Sequence, residues 1–257
     1  CTKTVRVSYH NLSTPEEMQM KRHFFSTLTA IIISASQLFA VENSEKAAYL
    51  AQHIQNSIQL ASAHKSRLAP GILALEGMSS TKVRSLLNNL CSLPDASYLE
   101  IGVWKGSTFV SALYGNEGSL RQAVAIDDWS EFGGPAAQFQ QNCKTFLKRV
   151  PHRFYSADSF KINPNDVVDR PINIYFYDGA HDALSQELAL THYYDVCDDL
   201  FILIVDDWNY PPAQEGTRNA MQKLNCEVLY EISLPANYNG DKDNWWNGLY
   251  VALISKN

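Results

Sequence analysis

From Ala96 onward the chain alternates, five times over, a short apolar run with a helical stretch, and few architectures can accept that pattern. The runs are SYLEIGV (97–103), QAVAIDDW (122–129), RFYSAD (153–158), INIYFYDG (172–179) and FILIVDDW (201–208). Between and after them lie stretches with helical character at 107–114, 136–150, 165–168, 183–196 and 213–224. Strands that are apolar at nearly every position cannot leave one face in water. A parallel sheet covered by helices on both sides is therefore expected. CEVLYEIS (226–233) and GLYVALIS (248–255) come next with no helix between them and read as an antiparallel pair at one edge. The expected fold is α/β, a doubly wound, Rossmann-like and mostly parallel sheet with N-terminal helices.

Upstream, residues 42–64 carry apolar side chains at Ala48, Leu50, Ile54, Ile58 and Leu60, close to a helical period. Pro70-Gly71 breaks the chain. A second helix begins at SSTKVRSLLNNLCSL, where Ser79 or Ser80 can cap free N–H groups, and Pro94-Asp95 ends it. The expected divisions are an N-terminal extension (1–41), a helical region (42–95) and the Rossmann-like domain (96–257). Residues 20–41, MKRHFFSTLTAIIISASQLFAV, have the basic start and apolar middle of a secretory signal, and an amphipathic or buried helix is the competing reading. The run is too interrupted by Ser and Thr for a stable membrane span. Because Cys1 is not an initiator, the chain is expected either to be a fragment or to include residues upstream of a start at Met20.

A net charge of −6, with no cluster of Lys and Arg, argues against nucleic acid and leaves a small molecule as the default partner; homo-oligomerisation stays open. Cys1, Cys91, Cys143, Cys197 and Cys226 have neither disulfide nor zinc spacing and read as free thiols.

In such a sheet, ligands bind beyond the carboxyl ends of the strands. YLEIGVWKGST (98–108) is then central: Gly102 turns the chain off the first strand, and Gly106 with Ser107 opens a helix. Trp104 stands where a dinucleotide fingerprint needs its second glycine, which disfavours a pyrophosphate and a nucleotide-dependent oxidoreductase. S-adenosylmethionine, which has no phosphate, fits better. Glu100 suits its positive end, Asp127 or Asp128 its ribose hydroxyls, and Asp158 with Ser159 its adenine.

From about Glu76 to Ile254 the chain resembles the class I S-adenosylmethionine-dependent methyltransferases. Within them it is most similar to the metal-dependent O-methyltransferases of the macrocin and mycinamicin type. YLEIGVWKGST matches their first motif, IDDW the second, and YDGAH with VDDW their metal and base motifs. The resemblance implies O-methylation of a hydroxyl on a small molecule, a sugar or a phenol, with His181 as base.

The residues support the same chemistry separately. Neighbouring fourth and fifth strands would bring Asp178 together with Asp206 and Asp207, and three carboxylates repel unless a cation holds them. Magnesium is the first choice, with manganese or calcium behind it. His181, three residues after Asp178, can take the acceptor's proton. The plainer alternative makes Asp178 and Asp182 caps of the helix near Ala183, and Asp206-Asp207 caps of the helix after Pro211. Trp208, Trp245 and Trp246 are candidates for walls of an acceptor pocket. Genuine export would part such an enzyme from its cytosolic methyl donor, which favours the cytoplasm, or else an exported, non-catalytic binding protein.

Overall fold

A computed structural model describes the backbone of residues 15–256 and the side chains of residues 19 and 40–256. The expectation for the signal-like stretch thus falls on side chains that lie, for residues 20–39, outside the described set. Among the described residues no helix is long and apolar enough to cross a membrane. The chain divides into two compact units, Cys1–Lys46 and Ala47–Asn257, with the boundary inside the helix α1 (Pro15–Ser62). The second unit holds the whole sheet.

From Ala47 on, α1 buries Leu50, Ile54, Ser57 and Ala61, spaced as one helical face, while Leu60 falls off that face and is 43% exposed. Helices α2 (Pro70–Leu73) and α3 (Thr81–Leu90) come next. Ser80 is the N-cap of α3, its Oγ accepting from the Val83 N–H at 3.2 Å.

The sheet has seven strands in the order β3-β2-β1-β4-β5-β7-β6. Strands β1 (Ala96–Ile101), β2 (Leu120–Asp127), β3 (Arg153–Ser156), β4 (Ile172–Tyr177) and β5 (Cys197–Val205) are parallel. Strand β7 (Leu249–Ser255) inserts antiparallel between β5 and the edge strand β6 (Glu227–Leu234). Helices α4 (Ser107–Leu113), α5 (Ala136–Phe146), α6 (Ala183–Tyr193) and α7 (Pro211–Lys223) connect them. The stretch read as helical near 165–168 is a single 3-10 turn, Pro164–Asp166.

Two cores account for the unbroken apolar runs. Tyr98, Ala125, Ile174, Phe176, Ile202 and Ile204 face one layer, which includes Ile54, Leu86 and Phe109. Their strand neighbours Leu99, Val124, Tyr175, Phe201 and Leu203 face the other, with Ala189, Leu190 and Ala220. Successive side chains alternate faces, and both faces are dry.

Candidate active site

The parallel strands end on one rim, and hydrogen bonds carry the register one residue past each tip. The N–H of Gly102 donates to the Ile126 carbonyl (2.9 Å), that of Asp178 to Ile101 (2.9 Å), that of Asp206 to Tyr177 (3.0 Å) and that of Ala157 to Asp127 (3.1 Å). The loops that leave the strands therefore start from fixed positions. They enclose a cavity of about 370 Å³, within the range of small-molecule sites. Gly102, Ser107, Asp127, Asp128, Asp158, Ser159, Asp178, His181, Asp206 and Asp207 all line it.

Gly102 has φ +84°, and a Cβ there would stand 1.9 Å from the Asp178 carbonyl oxygen. Only glycine allows β1 and β4 to open toward the cavity so close together. Gly106, also at positive φ, packs against the Phe139 ring and does not line the cavity.

Asp127 ties the first two loops together: Oδ2 accepts from the Trp104 N–H (2.8 Å) and Oδ1 from the Trp129 N–H (2.7 Å). Asp128 is exposed and turns its Oδ1 to Ser130. Asp158 caps its own turn through Phe160 and pairs with Lys161 at 2.9 Å, contacts that pull its carboxyl below the ordinary value. The Ser159 carbonyl accepts from the Tyr193 hydroxyl at 2.7 Å.

Glu100 lies elsewhere than the sequence suggests. It is fully buried beneath the cavity, accepts from the hydroxyls of Tyr98 and Thr108, and is absent from the lining. Burial pushes its carboxyl up to about 8, against the two hydroxyls that favour the charged form. The two-residue period of β1 places it on the same face as Tyr98.

At the β4 and β5 tips the acids converge. One oxygen each from Asp178, Asp206 and Asp207 lie within 4.8 Å of one another. Burial raises the carboxyls of Asp178 and Asp206 well above the ordinary range, and neighbouring acids add to it: Asp206 and Asp207 for the first, Asp207 for the second. Asp206 Oδ1 is a buried oxygen without a hydrogen-bond partner. Hard oxygen donors, crowded charge and an orphaned buried acceptor fit a divalent cation.

Asp207, at φ +58°, accepts on both oxygens. Oδ2 lies 2.6 Å from Nδ1 of His181, and Oδ1 accepts from Asn247 Nδ2 at 2.6 Å. The bond to Asp207 raises the His181 pKa above its ordinary value, with desolvation opposing it. The His181 ring also stacks on Tyr210, centroids 5.8 Å apart.

The capping alternative is divided by the structure. Asp182 is the N-cap of α6, accepting from the Ser185 N–H at 3.0 Å, whereas α7 is preceded by Tyr210 with no side-chain cap. Of the tryptophans, Trp246 lines the cavity, while Trp245 is buried and Trp208 stacks on Tyr250 with centroids 4.2 Å apart. Asn247 escapes a reading of the sequence, since one asparagine in the polar loop NYNGDKDNWWNG carries no distinguishing pattern.

Residues 99–208 match a protein-family model, Methyltransf_24, described as a methyltransferase domain. No curated protein matches the chain. Among solved structures, a Pyrococcus horikoshii protein described as a candidate RNA methyltransferase is 11% identical, with a TM-score of 0.51 over 79% of this chain and 98% of that one. TrmN from Thermus thermophilus is 12% identical, with a TM-score of 0.51 over 73% of this chain and 52% of its own. These likenesses establish the fold alone. The O-methyltransferase TomG from Streptomyces achromogenes, in complex with SAM, is 17% identical with a TM-score of 0.48 over 81% and 89%. Over residues 99–208 the chain is similar to a methyltransferase domain, and its fold agrees with that likeness.

Proposed function

We propose that the protein is a divalent-metal-assisted O-methyltransferase acting on a hydroxyl of a small molecule, a sugar or a phenol. The observation that carries this reading is the meeting of Asp178, Asp206 and Asp207 in one cluster with His181 bonded to Asp207. Net charge −6 and an acid-lined cavity favour a small acceptor over nucleic acid.

In this reading the donor lies across the rim. Gly102 offers backbone approach, Asp127 or Asp128 accepts from the ribose hydroxyls, and Asp158 with Ser159 borders the adenine. Asp178, Asp206 and Asp207 would hold magnesium or a similar hard cation. When bound, such an ion orients acceptor oxygens and makes a hydroxyl more acidic. His181 donates Nδ1–H to Asp207, which leaves Nε2 free to take the acceptor's proton. The oxygen then forms its bond to the methyl carbon as the carbon–sulfur bond breaks, and the sulfonium leaves as a neutral thioether. Methyl transfer leaves little charge to stabilise, so alignment by the rim carries much of the rate. Supply of the donor favours the cytoplasm.

The test is methyl transfer to a panel of sugar and phenolic hydroxyls before and after chelation, with magnesium added back. Transfer that survives complete metal removal would refute the metal-assisted reading.

A further inference from the structure

A buried guanidinium lies behind the cavity wall, and the proposed methyl transfer does not use it. Arg84, on α3, is 4% exposed. Its Nε donates to Ser79 Oγ at 2.8 Å, and Nη1 donates to the carbonyls of Leu73 (3.2 Å) and Leu75 (2.8 Å). All of these acceptors are neutral. Among the described residues no carboxylate forms an ion pair with it, and Glu76, the acid nearest in sequence on that loop, is bonded to Lys105. Burial lowers the guanidinium to about 10, with no acid offsetting it. A buried cation without an opposite charge is costly, and ordinary capping of two loop carbonyls does not require one.

The charge stands beside the cavity. A Cβ built on Gly77 would fall 2.9 Å from Arg84 Nη2 and 1.8 Å from Ser107 Oγ, so the two groups flank one point that the glycine leaves open. Ser107 lines the cavity, and its Oγ is 3.5 Å from Ser79 Oγ. The chain of contacts runs from Arg84 through Ser79 to Ser107. The charged side chains on the wall, among apolar ones such as Val103 and Phe160, are mostly acids, Asp127, Asp178, Asp206 and Asp207 among them. A positive charge behind this part of the wall complements a ligand that carries a carboxylate there.

We propose that Arg84, acting through Ser79 and Ser107, selects the α-carboxylate at the amino-acid end of the methyl donor. Arg84 is a positioning residue: it fixes the hydroxyls and supplies the charge without touching the ligand. The inference rests on reading the cavity as the donor site.

Binding of two ligands by calorimetry tests it: S-adenosylmethionine and its decarboxylated analogue, which keeps the adenosine, sulfonium and amine. The wild-type protein should prefer the carboxylate-bearing donor. Arg84→Gln should weaken that donor by about tenfold, a change of about 1.4 kcal/mol, and leave the analogue unchanged, while Arg84→Lys should restore part of the preference. Ser79→Ala keeps the buried charge and should narrow the preference by a smaller factor, which covers the case in which Arg84→Gln does not fold. Equal weakening of both ligands, or of neither, would overturn the proposal. Failure of the wild-type protein to bind either ligand would instead overturn the reading of the cavity.

Discussion

Nδ1 of His181 lies 2.6 Å from Oδ2 of Asp207, and the second oxygen of that carboxylate is held by Asn247. The imidazole is thereby fixed in one tautomer, with Nε2 as its free nitrogen. His181→Ala should lower methyl transfer by about 10²–10⁴-fold, the usual contribution of a positioned base. Donor affinity, read by calorimetry, should stay within about twofold because His181 sits on the acceptor side in the proposed reading. Parallel loss of donor binding would place His181 in a different role.

Glu100 links stability to pH. Its carboxyl titrates near 8 in the folded protein and near its ordinary value of 4.5 when unfolded. Between those values the folded state keeps a proton that the unfolded chain has released. Stability should therefore fall as pH rises from about 4.5 to about 8, by up to about 1.4 kcal/mol per unit, and level off above. Glu100→Gln should flatten this part of the profile in urea unfolding at several pH values. An unchanged slope would show that other groups produce it.

The crowding of Asp178 and Asp206 makes an opposite pair of expectations for one substitution. Asp206→Asn replaces a carboxyl that folding forces to keep its proton with a group that needs none, so the metal-free protein should unfold at a higher temperature, by about 1–3 kcal/mol of stability. The same variant should lose the rise in Tm that magnesium gives the wild-type protein. A thermal scan with and without the ion checks both.

Gly102→Ala should be severely destabilising. Its φ of +84° disfavours any side chain, and the added Cβ would meet the Asp178 carbonyl oxygen at 1.9 Å. A loss of at least about 2 kcal/mol is expected in chemical denaturation. A variant of wild-type stability would mean that the β1 and β4 tips separate readily.

The layout of the rim is legible in the sequence because four of the five parallel strands close on an apolar run that leads into Gly102, Asp127, Asp178 or Asp206; the short, half-exposed β3 is the exception. Chain order does not by itself give adjacency, since β3 and β4 are consecutive yet lie apart, but β4 and β5 are neighbours, and their matching acid-ended runs are what mark Asp178, Asp206 and Asp207 in the sequence. Glu100 cannot be placed the same way. Its neighbours in the motif are apolar or turn residues, but its side chain points down into the layer of Tyr98 and Thr108, where hydroxyls rather than ligand meet it. The Asn247–Asp207 and Arg84–Ser79 contacts depend on how loops fold back on the sheet and on α3, and no local pattern encodes such pairs. The helical face of residues 47–62 is hidden for a related reason: buried Ser57 is polar and exposed Leu60 is apolar, so hydrophobicity alone picks the wrong member of the turn.

Titration of magnesium into the metal-free protein, in buffers of different ionisation enthalpy, is the sharpest test of the carboxylate cluster. Asp178 and Asp206 hold their protons strongly without an ion, and ligands must give up protons to bind one. A single saturable site is expected, with a heat that changes with buffer because protons are released, and it should disappear in Asp206→Asn. No binding heat in the wild-type protein, or the same heat in the variant, would rule out the cluster as the cation's seat.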